Sequence, residues 1–212
     1  MKKIIMILMA MALMVPSAIA QNNKALEKAR KKEYKEKIKT YNKEGWKLYG
    51  SSRSVEVALL LHYEKLDKLG DRAHEVMGEA SKFKSKNVGM QSAINNACNK
   101  YAREAGSHVK GRIVSDMANM TEDVSGEFDH FYAAYETTVE KEIKGEMQQS
   151  YALIKDNGDG TFAMQVFFIV DEDAASKARI RAMENAFKES EKAQQYATKV
   201  SEFVKEGFKD EK

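Results

Sequence analysis

Ser150 to Val170 reads SYALIKDNGDGTFAMQVFFIV. Two apolar runs flank Asn157-Gly158-Asp159-Gly160. Asn and Gly tolerate the positive φ angles of hairpin turns, so the spacing predicts a β-hairpin here. No other stretch past the N-terminal twenty residues is rich in β-formers on both sides of a turn. The second strand is apolar on both faces. Phe162, Met164, Val166, Phe168 and Val170 face one way, and Ala163, Phe167 and Ile169 the other, with Gln165 the only polar residue. A strand of that kind is covered on both sides. The hairpin therefore needs a layer in front and a layer behind, and the rest of the chain must supply them or a second subunit must.

Most of the remaining chain has a helical period. Ala93, Ala97, Tyr101, Ala105 and Val109 form an i,i+4 ladder beside Ile94, Cys98 and Ala102. Small residues over four turns suit close packing on a sheet. Asn87 is a candidate cap for this helix, and Gly106 and Gly111 are candidate kinks or ends. Upstream, Glu75 to Lys84 alternates, with Met77, Ser81 and Phe83 on one side and Val76, Gly78 and Ala80 on the other. That pattern suits a strand crossed closely by a helix, and by pattern alone the stretch could equally be helical. Ser54 can cap a helix containing Val57 to Leu61, Tyr63, Leu66 and Leu69, with Gly70 as its stop.

Asp116 to Gly126 is polar and reads as a loop. A helix from about Phe128 to Ile143 follows, with Phe131, Tyr132, Tyr135, Val139 and Ile143 on its apolar face. The last helix opens with Asp171 to Asp173, which favours its dipole, and carries Ala178, Met183, Phe187, Ala197, Val200, Val204 and Phe208. Its stripe thins from Glu189 to Gln195, where it is expected to leave the core. Two elements are candidates for the layer behind the hairpin: the Val55–Leu69 helix, and the last helix through Met183 and Phe187.

The N-terminus is of another kind. Lys2 and Lys3 precede twelve apolar residues, Ile4 to Val15, then Pro16 and a small-residue cleavage signature at Ala18-Ile19-Ala20. This predicts a secretory signal peptide cut between Ala20 and Gln21, and a periplasmic or secreted product. Cleavage leaves 192 of 212 residues and takes the formal charge from +3 to +1. Near-neutral charge offers no general footprint for nucleic acid. Cys98 is the only cysteine, so no intrachain disulfide forms, and its place in AINNACNKYA marks it as a small core hydrophobe.

From Lys24 to Lys47 there are ten Lys or Arg against four Glu, and the apolar stripe is thin. This reads as a solvated helix held by Glu–Lys pairs, or as a basic arm for an anionic membrane surface. Gly45-Trp46-Lys47 interrupts it, with Trp46 read as an anchor for the loop in preference to a surface recognition aromatic.

Catalytic signatures fail residue by residue. Gly106 to Ile113 has phosphate-loop spacing, but Arg112 replaces the lysine and Ile113 the Ser/Thr. His74-Glu75 has Gly78 where a zinc-binding histidine belongs. Asp156 to Gly160 has the start of a calcium loop without its glutamate, and serves better as the hairpin turn. His62, His74, His108 and His130 are scattered. No catalytic, cofactor-binding or metal-binding residue is assigned, and an enzyme is not expected.

The order of elements resembles small bacterial envelope proteins of the lipoprotein-20 type. The residues carrying it are Val76 to Ala80, the spaced alanines Ala93, Ala97 and Ala105, Gly158-Asp159-Gly160-Thr161-Phe162, and Val166 to Val170, with Gly45-Trp46-Lys47 upstream. The resemblance implies a strand–helix–strand–strand core and an envelope location, with no cofactor and no catalytic residues. The chain departs from it in having no lipid-acceptor cysteine after the cleavage site.

These readings give an α+β protein, with a three-stranded antiparallel sheet packed against helices and long N- and C-terminal helices. The expected divisions are 1–20 signal peptide, 21–54 charged helical extension and Trp loop, 55–188 α+β domain with its leading helix, and 189–212 C-terminal helical extension. The expected role is a non-enzymatic exported interaction or structural module whose partner is an envelope protein or another copy of itself. The alternative is a small-molecule or lipid binder with a pocket between sheet and helices.

Overall fold

In the computed structural model residues 15–117 and 128–207 are described. Residues 1–14 of the expected signal peptide, the stretch 118–126 and Phe208 lie outside them. The chain forms two compact units, Met1–Gly45 and a second beginning at Trp46. In the first, α1 spans Val15–Glu44. Gly45 ends it with a φ of 78°, a conformation that side-chain-bearing residues rarely adopt.

The second unit is α+β. In chain order its elements are β1 (Lys47–Leu48), α2 (Val55–Leu69), β2 (Ala73–Phe83), α3 (Lys86–Met117), α4 (Asp129–Ile143), β3 (Gln148–Asp156), β4 (Phe162–Asp171), α5 (Glu172–Ala186), α6 (Glu191–Gln195) and α7 (Ala197–Glu206). The sheet has four strands, not three, in the order β1-β3-β4-β2 with every pair antiparallel. The additional strand is β1, which pairs Lys47 with Ile154 and Leu48 with Leu153. Two residues are too few to show a period, so it does not stand out from the Trp loop. Trp46 anchors that loop as expected. It is buried, and the Lys155 ammonium lies 4.8 Å from its ring centre.

The β3–β4 hairpin forms as the turn residues require. Gly158 and Gly160 take φ of 80° and 79°. The Asp156 and Asp159 carboxylates accept from the amides of Gly158 (2.8 Å) and Thr161 (3.0 Å). These carboxylates are spent on the turn.

The front face of the sheet meets α3. Val76, Met164, Val166, Phe168 and Val170 join Ala93, Ala97, Tyr101, Ala105 and Val109 in one buried cluster. The approach is close because Gly78 has no side chain. A Cβ there would lie 1.9 Å from the Ala93 carbonyl oxygen and 2.8 Å from the Ala97 nitrogen. Both are backbone atoms, so α3 itself would have to lift. Gly78→Ala is expected to destabilise the fold by about 2–3 kcal/mol, the range of overpacked cores, read as a lowered urea midpoint at unchanged slope.

Helix α3 runs unbroken through Gly106 and Gly111, and starts at Lys86, one residue before the expected cap Asn87. Gly106 serves packing instead, since a Cβ there would meet the Glu136 side chain of α4 at 2.3 Å. Cys98 is buried, and burial raises its thiol pKa, consistent with the core reading.

On β2 the expected alternation breaks near its end. The pairing with β4 shifts between Ala80 and Phe83, and Lys82 takes a φ of 54°. This bulge turns Phe83 onto the α3 face, into the cluster with Val76, rather than beside Met77. The Asn96 amide of α3 donates to the Glu79 carbonyl on the same strand at 2.7 Å.

The back face is covered within the chain by α2. Ser54 caps that helix through the Val57 amide, and Gly70 ends it. Leu59 and His62 are fully buried, and Tyr151, Phe167 and Ile169 of the sheet are buried with them. Met183 and Phe187, the other candidates, pack elsewhere. The Phe187 ring stacks on Phe131 of α4 at 5.5 Å, and Met183 lies in the front cluster.

The C-terminal stretch departs from a single extended helix. A 3-10 turn at Phe187–Glu189 and an extended Ser190 break it. The chain then returns, and Val200, Phe203 and Val204 of α7 are buried in the front cluster. The described part of 189–212 thus sends Ala193, Val200, Phe203 and Val204 into the core and keeps Glu191, Lys199, Glu202 and Lys205 exposed. Arg179 fixes this return. Its guanidinium, buried at 1% exposure, donates to the Val204 carbonyl (3.2 Å), the Tyr101 hydroxyl (2.6 Å) and the Glu172 carboxylate.

Candidate functional site

Three polar side chains from three elements meet behind the sheet. His62 is delivered by α2, capped at Ser54 and held down by Leu59, one turn away on the same buried face. Its Nδ1 lies 3.0 Å from the Ser150 hydroxyl, and its Nε2 bonds the Glu75 carboxylate. Glu75 stands on the back face of β2, opposite Ile169. Ser150 faces the back in step with Gln148, which stands opposite Ile169, and a bulge follows. β3 pairs Gln149 with Phe168 and Tyr151 with Phe167, leaving Ser150 as the extra residue of a bulge. Simple alternation would point Ser150 away from its neighbour Tyr151. The bulge instead brings Tyr151 onto the back face beside it, with the Ser150 hydroxyl toward His62 of α2.

The imidazole is fully buried and the Glu75 side chain is about one-third exposed. Aromatic rings fix the imidazole from the sides, with Tyr151 at 5.3 Å and Phe167 at 6.4 Å, both edge-on. An ionised carboxylate only accepts, so the N–H of a neutral imidazole sits on Nε2. Nδ1 is then left to accept the Ser150 proton. The chain of bonds is polarised from the serine toward Glu75.

Ser150 also lines a cleft of about 470 Å³ between α2, the loop after β1 and the start of β3. Tyr49, Leu61 and Tyr151 give it apolar walls, and Arg53, Lys65 and Lys68 bring positive charge. Lys68 is engaged by Glu64 at 2.7 Å. A second cleft of about 460 Å³ curls round the β2 bulge, from Trp46 and Gln165 to Ser92 and Asn96 of α3. There Gln165 donates to the Glu79 carboxylate at 2.8 Å.

The other stretches weighed in the sequence do not converge on a site. The phosphate-loop-like Gly106 to Ile113 is helical throughout. The four histidines lie on four different elements, α2, β2, α3 and α4. His74 contacts the Tyr101 ring at 5.6 Å and Glu104 at 3.7 Å. Among the described residues no cluster of three or more His, Cys, Asp or Glu is placed to hold a metal, and no helix is long and apolar enough to cross a membrane. Sequence reasoning passed over Glu75, His62 and Ser150 as a group. They are 13 and 88 residues from one another through His62, and no spacing rule joins them.

No family model matches the sequence, and no curated protein matches it. Among solved structures, a hypothetical protein from Francisella tularensis is similar over 63% of this chain and 51% of its own, at 12% identity and a TM-score of 0.36. The match thus spans about half the length of that protein.

Proposed function

We propose that this chain is an exported interaction module of the bacterial cell envelope that works through its Lys-rich N-terminal helix. The observation behind this is the distribution of charge on α1. Lys28, Lys32, Lys35, Lys39 and Lys43 are all exposed. At 100° per residue they fall within an arc of about 80° on one side of the helix. Three of its glutamates pair within the helix, Glu27 with Lys31 (2.6 Å), Glu33 with Lys37 (2.9 Å) and Glu36 with Lys32 (3.8 Å). The stripe therefore keeps a positive excess, and a ladder of ammonium groups suits a surface of anionic headgroups. This role asks no catalysis of the protein.

Each lysine at such a surface contributes on the order of 1 kcal/mol. The full chain is expected to sediment with vesicles containing anionic lipid at low salt and to be released as salt rises. Neutral vesicles should leave it in the supernatant. Replacing the five stripe lysines by glutamine should abolish sedimentation without lowering the melting temperature. Equal binding to neutral and anionic vesicles would overturn the reading.

A second reading, a small-molecule binder, has one specific observation in its favour. The cleft beside Ser150 lies within the size range of ligand pockets and combines apolar walls with a few polar groups. A ligand held there would raise the melting temperature in a concentration-dependent way.

A further inference from the structure

We propose that Ser150 is a nucleophile, with His62 as its general base and Glu75 as the group that orients the base, and that the cleft takes a small carboxylic ester. The arrangement meets the geometric requirement for such chemistry: nucleophile and base within hydrogen-bond reach, and the base oriented by a third group. The Ser150–His62 separation of 3.0 Å lies in the range needed for proton transfer. The imidazole uses Nδ1 toward the serine and Nε2 toward the carboxylate. That reverses the nitrogens of the protease triad but keeps its alternation of donor and acceptor. The serine is the one member that lines the cleft, and the buried imidazole stands directly behind it, so a group that displaces Oγ meets Nδ1. A buried histidine needs partners for both nitrogens on any account. What a purely structural reading leaves unexplained is a hydroxyl that bonds the buried base and also stands at a cleft wall.

The reaction runs in two halves. Ser150 Oγ attacks the ester carbonyl carbon, and its proton passes to His62 Nδ1. The imidazolium so formed is stabilised by the Glu75 carboxylate. The tetrahedral intermediate collapses, the bond to the alkoxy oxygen breaks, and Nδ1 returns the proton to the leaving alcohol. Water then enters and gives a proton to Nδ1 as it attacks the acyl carbon. Oγ departs and takes that proton back. The sum is ester plus water to acid plus alcohol. Arg53, in the same cleft, supplies the charge type that steadies an oxyanion.

This goes beyond the interaction reading and does not depend on it. Vesicle sedimentation tests α1, whereas the test here reads only the α+β unit. The full chain is treated with a biotinylated fluorophosphonate, and hydrolysis of p-nitrophenyl acetate is followed in parallel. One adduct is expected, on Ser150 by peptide mass, and none on heat-denatured chain. Ser150→Ala should lose both adduct and turnover while keeping its circular dichroism. Glu75→Gln allows the imidazole to adopt the other tautomer, so labelling should slow by about 100-fold or more in a protein that still folds. Glu75→Asp should recover part of that loss, which a merely structural carboxylate would not predict. No adduct on the native chain, an adduct elsewhere, or equal rates for wild type and Glu75→Gln would each overturn the proposal.

Discussion

Phe167→Glu is expected to abolish the folded state of the second unit at every protein concentration. Phe167 is 5% exposed on the back face, stacked on Tyr151 with ring centres 4.3 Å apart. Helix α2 lies over it, and His62 is already committed to Glu75. A carboxylate placed there stands in the same layer as Glu75. An uncompensated buried charge costs several kcal/mol, against a total stability of about 5–15 kcal/mol for a domain. Far-UV circular dichroism and light scattering across a hundredfold dilution decide the case. If a second copy covered this face instead of α2, the variant would be folded and monomeric, and that result would refute cover within the chain. Phe167→Leu, apolar and smaller, should remain folded and serves as the control.

Arg179→Ala should cost about 3–5 kcal/mol, the usual result of removing one member of a buried ion pair. Three acceptors lose their donor at once: the Glu172 carboxylate, the Tyr101 hydroxyl and the Val204 carbonyl. Burial raises the Tyr101 pKa to about 12, so its hydroxyl is neutral at physiological pH and depends on this hydrogen bond rather than on charge. The Val204 link also ties α7 to α5, so the loss should show first as proteolytic cleavage after Ser190. Combining Arg179→Met with Glu172→Gln should recover much of the stability, because no orphaned charge remains. A loss under about 1 kcal/mol in the single variant would mean that Val200, Phe203 and Val204 dock α7 unaided.

The β3–β4 hairpin, the α3 ladder and the α2 cap are legible in the sequence because each rests on a local rule. Gly at a turn, alanine every fourth residue and Ser before an apolar run need no knowledge of the rest of the chain. β1 is not legible, because two residues carry no period and their strand conformation comes from the β3 edge they pair with. Alternation puts Phe83 on the wrong face because it assumes an unbroken register, and the bulge at Lys82 breaks it. The same limit hides the candidate site. Ser150 and Glu75 meet only because β3 and β2 flank β4 in one sheet, and His62 joins them only because α2 lies across the back of it. Neither fact is a property of the neighbouring letters.

The two borders of the sheet bear on how the protein can assemble. One border is β1, a two-residue strand laid over Leu153 and Ile154 that breaks the outer edge of β3 into short pieces. The other is β2, which is long enough to recruit a strand but twists out of line at Lys82 and has the Glu79 carbonyl occupied by Asn96. A neighbouring molecule would find no continuous ladder of amides to zip onto at either end. Growth of the sheet into dimers or fibres is thereby discouraged by the fold itself. Association through the described residues then draws on side chains of the helices and loops, and its specificity can be rewritten by surface substitutions that leave every strand untouched.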